Sequence, residues 1–109
     1  MSDRALEIDG VRVPRFLYGT AWKEGDTERL TRLALRQGFR GVDTANQRKH
    51  DHEAAVGRAV ASAVDAGVVA RGDLFLQTKF TFRGGQDHRL PYDPAAPVAE
   101  QVAQSFRAS

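Results

Sequence analysis

The stretch Gly38-Phe39-Arg40-Gly41-Val42-Asp43-Thr44-Ala45 constrains this chain more than any other. A glycine closes a helical pattern, a short apolar run follows and ends in an acid, and a polar loop leads to a new helix starting at Glu53. A helix–strand–loop–helix order of this kind points to a parallel sheet with helical crossovers. Ionisable groups at the carboxyl ends of buried parallel strands are where α/β proteins tend to place chemistry. Asp43 is therefore the first candidate functional residue.

The flanking sequence extends the same alternation. Leu6, Ile8, Val11 and Val13 surround Asp9-Gly10, the signal of a two-residue β-hairpin. Phe16-Leu17-Tyr18, closed by Gly19-Thr20, reads as a first buried strand. Asp26 or Thr27 suits the N-cap of the next helix, whose apolar positions are Leu30, Leu33, Ala34 and Phe39, with Gly38 as its C′ residue. Residues 39–42 form the second strand. Residues 53–66 are rich in alanine and valine, as a helix packed closely on a sheet requires, and Gly67 ends it. Residues 74–80 form the third strand. Residues 83–97, with Gly84-Gly85 and three prolines, form a long loop, and a last helical pattern runs from Val98 to Phe106.

At 109 residues, one domain spanning 1–109 is expected, with one modest core. Sixteen Lys and Arg stand against fourteen Asp and Glu, interspersed, so neither nucleic acid nor a membrane surface is an expected partner. The absence of cysteine excludes disulfides and thiolate metal sites. The polar start Met1-Ser2-Asp3-Arg4 is not followed by an apolar h-region, and no apolar run approaches the ~18 residues of a membrane span. The expected location is the cytoplasm. His50, Asp51, His52 and Glu53 match no closed metal-site spacing, and no metal is expected.

In a parallel sheet, Gly19-Thr20, Asp43 and Lys79 fall at strand ends facing the same way, which lets Asp43 and Lys79 meet as a buried ion pair. Such a lysine lowers the pKa of a neighbouring hydroxyl acid, and the aspartate keeps it charged and oriented. These residues, together with the hairpin, Gly19-Thr20-Ala21, Gly38 to Ala45, Glu53-Ala54-Ala55-Val56-Gly57-Arg58-Ala59 and Thr78-Lys79, resemble the N-terminal part of the aldo-keto reductases.

The resemblance implies an α/β fold made of the N-terminal βα units of a TIM (β/α)8 barrel, preceded by a β-hairpin and truncated after about three strands. It implies an oxidoreductase that transfers hydride between NADP(H) and a small-molecule aldehyde, ketone or alcohol. Asp43 and Lys79 would be catalytic, Gly19, Thr20 and Asp43 would lie near the nicotinamide, and Trp22 and Phe80 would wall the substrate pocket. The family's catalytic tyrosine falls in the loop 44–52, which has no tyrosine here. Aligned on a longer-loop variant of the family, Asp51 takes its place; counted back from Glu53 in the short form, His50 does. The family's catalytic histidine and its adenine and phosphate contacts would lie beyond the third strand. The alternative is a catalytically inactive fragment or interaction module, self-associating through an open sheet edge.

Overall fold

A computed structural model describes residues 4–109. The leader reading at Met1, Ser2 and Asp3 therefore lies outside the described residues. The chain opens with strands β1 (Ala5–Ile8) and β2 (Val11–Pro14), paired antiparallel with Leu6 opposite Val13 and Ile8 opposite Val11. Asp9 and Gly10 turn the hairpin with φ of 50° and 78°, the left-handed values that a tight two-residue turn requires.

Three further strands form a parallel sheet in the order β3-β4-β5: β3 is Tyr18–Gly19, β4 Gly41–Asp43 and β5 Phe75–Gln77. Helix α1 (Thr27–Arg36) connects β3 to β4, α2 (Glu53–Asp65) connects β4 to β5, and α3 (Val98–Ala108) follows the long loop. The sheet is open at both edges, with no closed barrel among the described residues. No helix among them is long and apolar enough to cross a membrane.

The register divides the sheet into two faces, because neighbouring residues of a strand point to opposite sides. Tyr18, Val42 and Leu76 are aligned on the face that α1 and α2 cover. There Val42 joins Leu35, Val56, Val60, Ala63, Val69 and Leu74 in the core. Gly19, Asp43 and Gln77 are aligned on the other face, which carries no helix layer. Gly41 also lies on that face. A Cβ there would collide with the Leu17 side chain and sit 3.2 Å from Pro14 Cγ and 3.3 Å from the Phe16 carbonyl oxygen, so the hairpin can close against the sheet only over a glycine.

Both crossover helices end in the same way. Gly38 has φ 108°, its N–H donates to the Leu35 carbonyl, and the Phe39 N–H reaches back to Ala34. Gly67 has φ 75°, with Gly67 N–H to Val64 and Val68 N–H to Ala63. Each is a Schellman closure built on a glycine at C′.

Several expectations are corrected. The second strand starts at Gly41 rather than residue 39, because the Phe39 N–H is taken by the helix closure and cannot enter the ladder. The third strand covers Phe75–Gln77 only, since β4 offers just three partners. The first is two residues long, and Phe16 is 74% exposed rather than buried, because it precedes the strand where no layer covers it. Neither Asp26 nor Thr27 caps α1 by side chain; Asp26 pairs with Arg29 at 3.2 Å, and the Thr27 hydroxyl donates to the Glu24 carbonyl. The buried stripe of α1 is Thr27, Thr31, Ala34 and Leu35, whereas Leu33 is 47% exposed. This helix is rotated relative to the face assigned from Leu30 and Leu33.

Candidate active site

The strand ends bring Asp43 and Lys79 together. Lys79 Nζ donates to both oxygens of Asp43, at 2.7 and 2.8 Å. A third donor, Gln77 Nε2, reaches Asp43 Oδ1 at 2.8 Å. The geometry follows from register: Gln77 lies directly opposite Asp43, and Lys79 two residues further on returns to the same side. The pair was expected to be buried. It is not, with side chains 28% and 48% exposed for Asp43 and Lys79, because it stands on the sheet face without a helix layer.

Thr20 links this pair to the loop. Its N–H and hydroxyl both lie on the Asp43 carbonyl, at 3.1 and 3.0 Å, and the hydroxyl is also 3.2 Å from Asp51 Oδ1. Thr20 is almost fully buried, so its hydroxyl has a fixed direction. Burial pushes the Asp51 carboxyl above the usual carboxylate range, helped by Asp43 and Glu53 nearby; the Thr20 hydrogen bond and the charge of Lys79 pull the other way. Asp51 is thus surrounded by the groups that also define the Asp43–Lys79 pair.

His50, the other residue considered for the tyrosine position, is engaged elsewhere. Its ring stacks on Trp22 with centroids 3.6 Å apart and planes at 27°, and its carbonyl accepts the Trp22 N–H at 2.8 Å. That bond holds Trp22 at φ 64°, a costly conformation for a bulky residue. Trp22 is largely exposed, while Phe80 packs on Tyr92 with centroids 5.3 Å apart. Gly19 lies opposite Asp43, and a Cβ on it would meet nothing within 4 Å, so the sheet face beside the ion pair is flat and open.

A cleft of about 680 Å³ reaches Asp51, His50, Lys49 and the first turn of α2, but neither Asp43 nor Lys79 lines it. We place the candidate site on the open sheet face, where the charged and polar groups converge, rather than in that cleft. Among the described residues no group of three or more His, Asp or Glu side chains converges as metal ligands would.

Gln77, Gln86 and Arg89 escaped the sequence reading. Gln77 carried a signal: a polar residue in an apolar strand, two positions before Lys79 and so on the same face. Gln86 and Arg89 carried none, since their partners are backbone carbonyls of a distant loop.

Comparison with known proteins bears on the fold and the sequence. No family model matches the chain. In sequence it is 35% identical over 75 residues to an aldo-keto reductase family 1 member C23-like protein of Equus caballus, a match covering 65% of this chain and 23% of that protein. In structure it resembles an aldo-keto reductase of Bombyx mori solved in complex with NADP, with a TM-score of 0.68 at 22% identity over 95% of this chain and 33% of that one. A second aldo-keto reductase, complexed with NADPH, matches with a TM-score of 0.67 at 26% identity, over 95% of this chain and 30% of the other. A further silkworm aldo-keto reductase structure gives a TM-score of 0.71 at 25% identity, covering 31% of that chain. The chain is therefore similar to aldo-keto reductases in sequence and in fold, and it spans about a quarter to a third of their length.

Proposed function

We propose that the chain forms one partial domain of an aldo-keto reductase-like oxidoreductase, and that the Asp43–Lys79 pair with Asp51 is its proton-handling site for a small carbonyl substrate. The observation that carries this reading is the convergence of Asp43, Lys79, Thr20 and Asp51 at the carboxyl ends of parallel strands. Those ends are where α/β folds assemble catalytic groups from separate strands.

The residues present fit the nicotinamide end of NADP(H). Gly19 leaves a flat open patch beside Asp43, without a side chain to obstruct a planar ring. When bound there, the cofactor would supply a hydride to the carbonyl carbon. The chain's own residues then have to orient the carbonyl oxygen and deliver a proton to it. Asp43 takes three hydrogen bonds, from Lys79 twice and from Gln77, which fix the direction of the lysine ammonium. Asp51 is the acid. Burial keeps its proton on to higher pH than usual, so the share of Asp51 able to donate rises as pH falls. Trp22 and Phe80 would bound the substrate.

An aspartate is a poorer acid for this purpose than a tyrosine near neutrality, because even with its pKa raised from ~3.9 it begins far below the ~10 of a phenol. We therefore expect Asp51→Tyr to increase NADPH-dependent reduction of a simple aromatic aldehyde at pH 7 by roughly 10²-fold or more, within the ~10²–10⁴-fold range of positioned general acids. The gap should narrow as pH falls and Asp51 regains its proton. Equal turnover at every pH would refute Asp51 as the acid.

A second reading rests on the open strands. β3 and β5 each have one unpaired edge, and Leu17 and Leu76 are exposed beside them. A chain that has lost turnover and associates with itself through these edges would show no gain in Asp51→Tyr and a sedimentation coefficient that rises with concentration.

A further inference from the structure

The proposed acid sits on a loop that hydrophobic packing does not hold. Thr44, Ala45 and Asn46 are buried, but Arg48 and Lys49 are exposed, and Gln47, His50 and Asp51 are half-buried. No apolar side chain lies between Ala45 and Ala54. These residues are held by polar contacts and by the stack of His50 on Trp22; Thr20 and Trp22 reach Asp51 and His50, and the segment after β5 reaches residues 46–48.

We infer that Gln86 and Arg89 are positioning residues that set where the Asp51 carboxylate stands, by clamping the loop 44–52 to the segment that follows β5. Three consecutive loop residues are held. Gln86 Nε2 donates to the Asn46 carbonyl at 3.0 Å and to the Thr81 carbonyl at 3.2 Å, so a single amide group bridges the two segments. Gln47 Nε2 donates to the Gly85 carbonyl at 2.7 Å. Arg89 Nη2 donates to the Arg48 carbonyl at 2.8 Å. Asp51 then hangs from the clamped stretch, its N–H donating to the Gln47 carbonyl at 2.9 Å.

The clamp is itself braced. Asp87 accepts from Arg89 Nε and Nη2 and from the Arg89 backbone N–H, a charged fork that keeps the guanidinium extended toward Arg48. The fork holds the Asp87 carboxyl down to about 2, so it stays ionised across the whole working range of pH. Further along, the Tyr92 hydroxyl donates to the Thr81 carbonyl at 2.8 Å, and its ring packs on Phe80. On the near side, Asn46 N–H donates to the Lys79 carbonyl at 3.1 Å, and Asn46 Nδ2 to the Ser105 carbonyl in α3 at 2.7 Å. The segment after β5, read from the sequence as a long loop, is thereby a strap across the Asp51 loop. Arginine suits this position because its planar group can keep a carboxylate and a carbonyl at once, which a lysine ammonium does less well.

This inference rests on the reading of Asp51 as the acid, but its test does not. The Asp51 carboxyl is titrated by carbon NMR, and amide exchange is followed, in Gln86→Leu, in Arg89→Met and in the double variant. Thr20, Lys79, Asp43 and Glu53 all face Asp51 and remain in place in every variant. We expect the Asp51 midpoint to drop toward the ordinary carboxylate range as the loosened loop lets water in. The amides of Asp51 and Trp22 should exchange faster, on the order of tenfold in the Gln86→Leu background, the usual scale for losing one hydrogen bond. Amides in α1 should keep their rates.

An Asp51 midpoint equal to that of the parent chain overturns the clamp. So does faster exchange in α1 to the same degree, because the contacts would then hold the fold and not the loop. Arg89 is exposed, so the single Arg89→Met chain keeps the measurement available if the double variant does not fold. All readings are taken on the free chain. Absence of carbonyl reduction would refute the proposed function and leave the clamp standing.

Discussion

Lys79→Met should lower NADPH-dependent carbonyl reduction by roughly 10²–10⁴-fold, the range associated with a positioned acid–base group. The methionine keeps the length of the side chain and removes the ammonium. Among the described residues the Asp43 carboxylate would then retain Gln77 as its donor, and Asp51 would lose the cation that draws its carboxyl back toward ionisation. The fold should hardly notice. The Lys79–Asp43 pair is about half-exposed on the lysine side, and surface pairs of this kind contribute about 0–1 kcal/mol to stability. That magnitude separates a functional pair from a structural one: a large loss of turnover with an almost unchanged melting temperature assigns the pair to chemistry. Unchanged turnover in a folded Lys79→Met chain would remove Lys79 from the mechanism.

The largest effect on stability is expected at Leu35. Its side chain is completely buried between α1, α2 and the sheet, in contact with the cluster that contains Val42, Val56, Val60 and Leu74. Leu35→Ala should cost about 2–5 kcal/mol, from lost transfer energy and the cavity left behind. A domain of this size has about 5–15 kcal/mol in total, so the variant would sit close to unfolding. Leu33→Ala, on the exposed side of the same helix, should change stability by less than about 0.5 kcal/mol. Chemical denaturation of the two variants side by side checks the assignment. Equal losses would mean that α1 presents a different face to the core.

The comparison of Leu33 with Leu35 also shows where the sequence was legible and where it was not. The ends of α1 and α2 could be read because Gly38 and Gly67 stand where a helix needs a left-handed residue to close. The hairpin could be read from Asp9-Gly10 for the same reason. Asp43 and Lys79 could be brought together because strands joined by helices must run parallel, which puts their carboxyl ends side by side. The phase of α1 could not be read with the same certainty, since threonines at 27 and 31 complete its buried stripe and an apolar pattern does not count them. Strand lengths were overestimated because residues 39 and 40 look like a strand but serve to close a helix. The exposure of the ion pair was also misjudged. A strand-end acid and lysine are buried only if something covers that face of the sheet, and local sequence carries no information on that. Between Asp51 and His50, the sequence left two alignments; the stacking of His50 on Trp22 and the approach of Thr20 to Asp51 are long-range contacts that only the assembled loop displays.

The central claim is that the strand ends around Asp43 present a site for the nicotinamide end of NADP(H). Trp22 is the sole tryptophan, its ring lies against His50 beside the Asp51 loop, and it follows Thr20 by two residues. Titrating the chain with NADPH while following Trp22 fluorescence therefore reads the site directly, without requiring turnover. Saturable quenching that Lys79→Met leaves largely in place is the expected result. A folded chain, verified by circular dichroism, whose Trp22 emission stays constant through the titration would contradict it.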